Sequence, residues 1–205
     1  CWENYCPKNF SNFYQGETTL IESFKNSSNI VPIKISYQFG LKKIVNLANK
    51  FGIKYKKDLS SYLPIAIGAY GDSLLNITNA YSIINNKGQL IKPSVIKDIK
   101  SKKGKIIWEN KFVTSKIIDR QIANKLNYLL ENSVEGGTGL AASIEGRKIF
   151  GKTGTSDQNK DLWFIGSIKN LTTGIWIGFD DNRATNFSSG TSANFWRTFI
   201  KSINI

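Results

Sequence analysis

Between Phe150 and Phe179 the sequence holds three segments of strand length and composition: Phe150 to Ser156, Leu162 to Ile168 and Thr172 to Phe179. The second and third are separated only by Lys169-Asn170-Leu171. A parallel crossover needs a dozen or more residues, so this link commits the pair to an antiparallel hairpin. Helical patterning flanks the block. Leu41, Ile44, Val45, Ala48 and Phe51 form one apolar stripe, and Gly52 follows as a C-terminal stop. Further helices are expected from about Thr19 to Lys25, over 30–39 with Pro32 in the first turn, and from Leu74 to Asn86. Two more are expected from Asp119 to Val134, with Ile122, Leu126, Leu129 and Leu130 on one side, and from Ser192 to Ile203. Residues 89–99 and 105–112 read as two short strands around a Lys-Gly turn. Helices, then an antiparallel sheet, then a helix closing on it: the fold class is α+β.

Composition removes several classes of chemistry. The chain contains no histidine. Ser-His-Asp and Cys-His catalysis are therefore excluded within it, and the commonest metal ligand is missing. Acyl transfer here would have to use Lys, Ser, Thr or carboxylates, and neither metal nor organic cofactor is called for. The two cysteines, Cys1 and Cys6, cannot build a disulfide framework or a closed zinc site alone. They could pair with each other or stand as incidental thiols. The formal charge is +13, which favours anionic partners. It is spread along the chain, and its densest cluster (Lys97, Lys100, Lys102, Lys103 and Lys105) reads as a solvated hairpin tip. No helix carries a basic face interleaved with aromatics, so nucleic acid is not an expected partner. No apolar run reaches the length of a membrane span, and no signal peptide is visible.

The string with the most chemistry is Gly151-Lys152-Thr153-Gly154-Thr155, on the first strand of the sheet. An edge strand offers backbone N–H and C=O groups to an extended peptide. Lys152 adds positive charge, and the Thr153 and Thr155 hydroxyls can bind a carboxylate. Gly154 lets a ligand approach the backbone closely, and the Thr155 N–H can face a developing oxyanion. Taken alone, the same string also describes a plain hairpin strand with a solvated lysine. A second string, Ser27-Ser28-Asn29, lies far upstream. Without histidine, a second hydroxyl such as Ser27 can relay a proton to a leaving amine, and Asn29 can bond a substrate backbone or the lysine. Alone, this string also describes a helix cap.

Together the two strings fit the Ser-x-Asn and Lys-Thr-Gly motifs of penicillin-binding proteins and serine β-lactamases. Further segments extend the likeness: Pro7-Lys8-Asn9-Phe10, Gly16, Thr18-Thr19-Leu20, Ala80-Tyr81, Asn86-Lys87-Gly88, Gly137-Thr138-Gly139, Asp161-x-Trp163-Phe164-x-Gly166 and Trp176-x-Gly178-x-Asp180-Asp181. From about Trp2 to Trp196 the chain resembles the transpeptidase domain of class A (bifunctional) penicillin-binding proteins. It departs from that pattern at Pro64, where the family's Ser-Leu-Ala-Leu-Gly segment has serine.

The resemblance implies a penicillin-binding transpeptidase fold and a peptidoglycan D,D-transpeptidase activity. Its partners would be stem peptides ending in D-Ala-D-Ala, and β-lactams. Ser27, Asn29 and Lys152 would be catalytic, and Thr153, Gly154 and Thr155 would bind substrate. It implies a periplasmic or outer-face location, with an anchor outside the chain. The family's nucleophile is the serine of Ser-x-x-Lys, on a helix before Ser-x-Asn. The one match here, Ser94-Val95-Ile96-Lys97, lies after it in a strand-like run that would put the two side chains on opposite faces. The expectation is therefore a partial domain over 1–205, with the nucleophile segment and a glycosyltransferase domain upstream of Cys1. Without that segment, the helices at 41–51 and 119–134 are expected to expose apolar faces and promote aggregation. A non-catalytic remnant that docks peptidoglycan or a partner is the alternative. A β-lactamase would need a deacylating group with no candidate here.

Overall fold

The computed structural model describes residues 1–2, 5–55, 59, 61–203 and 205. Its centre is an antiparallel three-stranded sheet in the order β5 (Phe150–Thr155), β6 (Asp161–Ile168), β7 (Leu171–Gly178). The expected hairpin is present, but Leu171 already belongs to β7, so the turn is two residues, Lys169-Asn170. Lys169 takes φ 51°, the left-handed backbone such a tight turn requires. β6 is central, and Leu162, Phe164, Ile165 and Ile168 are all buried.

Each face of the sheet is covered by a helix. On one, Phe164 and Ile168 pack with Ala193, Trp196 and Ile200 of α6 (Ser189–Ser202). The Phe164 and Trp196 rings meet edge to face at 5.4 Å. On the other, α4 (Leu74–Asn85) presses so closely on β7 that a Cβ on Gly174 would stand 2.3 Å from the Thr78 hydroxyl. A side chain at 174 would push the two apart. α5 (Arg120–Gly136) lies against β5 and begins one residue after Asp119, its N-cap. Its core face is Ala123, Leu130 and Val134, while Ile122 is exposed, one position off the expected stripe.

A second apolar cluster joins Ile33 of α2 (Ile30–Phe39), Leu41 of α3 (Leu41–Lys50), Leu59, and the 3-10 turn at Leu63–Ile67. α1 (Leu20–Lys25) packs against α5.

The region expected as two strands is four. β1 (Gln89–Ile91) pairs with β4 (Thr114–Lys116), and β2 (Asp98–Lys100) pairs with β3 (Ile106–Glu109). The expected strand 89–99 breaks at Lys92 to Lys97, where Pro93 cannot donate to a ladder. The lysine-rich turn does join two strands, β2 and β3, as expected, and its lysines are exposed. Ser94 falls in the break, not in a strand; its hydroxyl donates to the Ile96 carbonyl at 3.0 Å. Cys1 and Cys6 form a disulfide, beside an antiparallel bridge between Trp2 and Tyr5. Among the described residues, no helix is long and apolar enough to cross a membrane.

Candidate active site

The geometry of Ser27 is set by how α1 ends. Thr19 caps its start, accepting from the Glu22 N–H at 3.2 Å. At the other end the Ser27 N–H donates to the Phe24 carbonyl (3.1 Å) and the Ser28 N–H to the Ser23 carbonyl (2.9 Å). This paired closure puts the intervening residue in the left-handed region, and Ser27 has φ 54°. After α3 the same closure is made with a glycine, Gly52, at φ 88°. A side chain in this conformation costs about 1 kcal/mol. Here it carries the hydroxyl to Lys152, whose Nζ donates to Ser27 Oγ at 2.8 Å. Ser27→Gly is therefore expected to fold with a melting temperature within about 2 °C of the parent, read by calorimetry. A large loss would mean that Ser27 holds the turn together.

Lys152 is the junction of the site. Its ammonium also donates to the Thr153 carbonyl (3.3 Å) and to Thr138 Oγ1 (3.4 Å). The Phe24 ring centroid lies 5.9 Å from Nζ. Among the described residues no carboxylate forms an ion pair with it. Burial without a counter-charge disfavours the ammonium and pushes its pKa down to about 8. The group is thus mostly protonated at neutral pH and loses its proton easily just above it, the range suited to proton transfer.

The remaining expected residues divide. Thr153 is buried and donates from Oγ1 to Thr138 Oγ1 at 2.7 Å. Thr155 is exposed at the end of β5. A Cβ on Gly154 would meet Trp163 Cβ at 3.3 Å, so the strand runs close over that residue. Asn29 does not bond Lys152 here: its side-chain amide donates to the Lys8 carbonyl at 2.7 Å, and its N–H donates to Asn9 Oδ1 at 2.9 Å. Asn29 does occupy the N-cap position of α2, yet its side chain makes no capping bond. Ser94 and Lys97 sit between β1 and β2, on neither element that carries the site.

Two participants were not singled out as site residues from the sequence. Phe24 looks like any apolar helix residue, and only the folded geometry places it over the lysine. Thr138 had a signal in Gly137-Thr138-Gly139, whose two glycines suggest a flexible loop. The loop is instead pinned: the Thr138 N–H donates to the Lys25 carbonyl at 3.2 Å, and the Gly139 N–H donates to the Ser133 carbonyl at 2.9 Å. The turn after β5 is tied as well. Asp161 accepts from the Ser156 hydroxyl and from Trp176 Nε1, both at 2.9 Å.

Residues 2–201 match the family model described as the penicillin binding protein transpeptidase domain. Penicillin-binding protein 1A of Clostridium tetani is 36% identical over 191 residues, which cover 87% of this chain and 24% of the relative. Penicillin-binding protein 1A of Clostridium acetobutylicum is 31% identical over 204 residues, covering 98% of this chain and 25% of the relative. The crystal structure of penicillin-binding protein 1A from Haemophilus influenzae superposes with a TM-score of 0.87 at 25% identity, covering 96% of this chain and 36% of that one. The chain thus spans about a quarter of the length of the curated relatives it matches. A Ser27–Lys152 contact on an edge strand, inside a fold and sequence match running from residue 2 to residue 201, establishes that the chain belongs to the penicillin-binding protein transpeptidase family.

Proposed function

We propose that this chain forms part of a serine-type peptidoglycan D,D-transpeptidase and supplies its proton-relay and carboxylate-binding groups. The observation that carries the reading is the Lys152 Nζ–Ser27 Oγ contact of 2.8 Å, made by a lysine with no described carboxylate partner. In this reaction a serine oxygen attacks the carbonyl of a D-Ala-D-Ala end, and the C–N bond breaks. The departing D-Ala amine needs a proton. Ser27 stands where it can pass one on and be resupplied from the Lys152 ammonium. The acyl group then moves to an amine on a neighbouring stem peptide, closing a cross-link. Lys152, Thr153 and Thr155 bind the substrate carboxylate, Gly154 allows the backbone approach, and the Thr155 N–H faces the oxyanion. Asn29, now held by Lys8, orients the substrate backbone beside Ser27.

The nucleophilic serine belongs to a segment of the protein outside residues 1–205, and this segment is the chain's first partner. β-Lactams are the expected inhibitors. Structures with the same fold, from Mycobacterium tuberculosis, are described as a penicillin-binding protein A imipenem acyl-enzyme complex and as PonA1 in complex with penicillin V. Work on the outer face of the cytoplasmic membrane agrees with the Cys1–Cys6 disulfide, which persists in oxidising compartments.

Intact-mass spectrometry of the full-length protein with excess penicillin tests the reading. One adduct per protein is expected, on a peptide outside residues 1–205. The rate of its formation should fall roughly a hundredfold with Ser27→Gly. An adduct on a serine within 1–205 would relocate the nucleophile. No adduct at all would favour a non-catalytic docking role.

A further inference from the structure

The hydroxyls around Lys152 can be followed proton by proton. The ammonium has three N–H groups, and three acceptors surround it: Ser27 Oγ, Thr138 Oγ1 and the Thr153 carbonyl. Thr153 spends its one hydroxyl proton on Thr138 Oγ1. Thr138 therefore accepts twice, from a charged donor and from a neutral one, and closes a ring between α1, β5 and the loop after α5. Its own O–H proton is used by neither neighbour. Thr138 is exposed, as are Ser27 and Thr155, so all three residues that carry these hydroxyls are accessible to a ligand.

The loop has no freedom to take Thr138 elsewhere. A Cβ on Gly137 would stand 2.3 Å from the Lys25 carbonyl oxygen, and one on Gly139 would stand 3.1 Å from the Ser133 oxygen. Backbone contact on both sides of Thr138 leaves one path for the chain, and that path ends at the ammonium.

Resting on the transpeptidase reading of this site, we propose that Thr138 is a positioning residue: it holds the Lys152 ammonium against Ser27 and orients the Thr153 hydroxyl. The charged groups on the surrounding elements do not compete for this role. Glu22 of α1 is paired with Lys25, Glu131 of α5 with Lys148, and Asp161 of β6 is taken by Ser156 and Trp176. Glu135 of α5 is exposed, and α6 carries no carboxylate. Uncharged acceptors such as Thr138 therefore carry the stabilisation of the ammonium. Removing one should make Lys152 lose its proton at lower pH.

The test uses the full-length protein and reads Lys152 directly. Competitive acetylation of its amine, followed by mass spectrometry from pH 6 to 11, gives its titration midpoint whether or not the protein is an active transpeptidase. Thr138→Val should lower that midpoint by roughly half a pH unit or more, and Thr138→Ser should restore it. The alkaline limb of penicillin acylation should move down by the same amount. An unchanged midpoint in a folded Thr138→Val protein would overturn the inference. Should that variant not fold, Thr138→Ala at this exposed position carries the same expectation and the same refutation. A shifted midpoint in a protein that takes no penicillin would leave Thr138's role standing and sink the transpeptidase reading instead.

Discussion

Lys152→Met in the full-length protein is expected to raise the melting temperature at pH 7 while lowering penicillin acylation by roughly a hundredfold or more. The two effects have one cause. Lys152 is largely withdrawn from water with no carboxylate partner among the described residues, and burial lowers its pKa from 10.5 to about 8. At neutral pH the folded protein therefore carries an ammonium that would rather be in water. Methionine fills nearly the same volume without that penalty. The gain should be about 1–2 kcal/mol once residual solvent screening is allowed for, or a few degrees for a domain of this size. Its pH dependence is a second check. Between about pH 8 and 10.5 the unfolded chain still holds a proton that the folded one has lost, so parent stability rises with pH through that window. The advantage of Lys152→Met should accordingly be full below pH 8 and shrink above it. Melts at pH 7 and pH 10, set beside acylation rates, measure both. A destabilised Lys152→Met would mean that the ammonium's three hydrogen bonds outweigh its desolvation.

Gly137→Ala is expected to be among the most disruptive single substitutions in the chain. Gly137 has φ −115°, which alanine adopts freely, so no backbone strain is involved. The obstacle is space. The added carbon would lie 2.3 Å from the Lys25 carbonyl oxygen, 2.8 Å from Lys25 Cγ and 2.9 Å from the Ser133 carbonyl oxygen. Two of these are main-chain atoms of α1 and α5, which cannot yield without separating the helices. A loss of about 3 kcal/mol or more is expected, read as a lower denaturation midpoint and by a Lys152 titration moved toward that of Thr138→Val. Gly136→Ala is the control: its Cβ would meet only the flexible end of Lys25, at 3.3 Å. Its stability should stay within about 1 kcal/mol of the parent. Equal losses from both would mean that the interface is softer than its geometry implies.

Much of this was legible in the sequence because it rests on local rules. The i, i+3, i+4 stripe from Leu41 to Phe51 gave α3, and a short polar link gave the β6–β7 hairpin. The Lys152 and Ser27 strings were found because their chemistry needs those side-chain types. What was missed depends on contacts between distant segments. Pro93 lies in a β-branched run that reads as one strand, but the ladder breaks there and four short strands replace two. Ile122 fits a helical stripe but points outward, because the surface α5 packs on is set by other elements. Thr138 is 14 residues from Lys152, yet it reaches the ammonium through a loop whose rigidity comes from α1. Asn29 was expected to bond a substrate backbone or the lysine, and its side chain is found holding the Lys8 carbonyl, a backbone partner that no motif can announce.

β5 is the outer strand of its sheet, and an open strand edge will pair with any extended chain, including a second copy of itself. Natural sheets blunt that hazard with charges turned inward at the edge. Lys152 lies on that outer strand, so the group proposed to bind the substrate carboxylate would also oppose self-pairing. In an antiparallel β5–β5 contact, two copies would bring like cations into one ladder, and among the described residues no acid is paired with Lys152 to neutralise them. The stability that Lys152 is expected to cost the folded domain would thus help keep that edge unpaired.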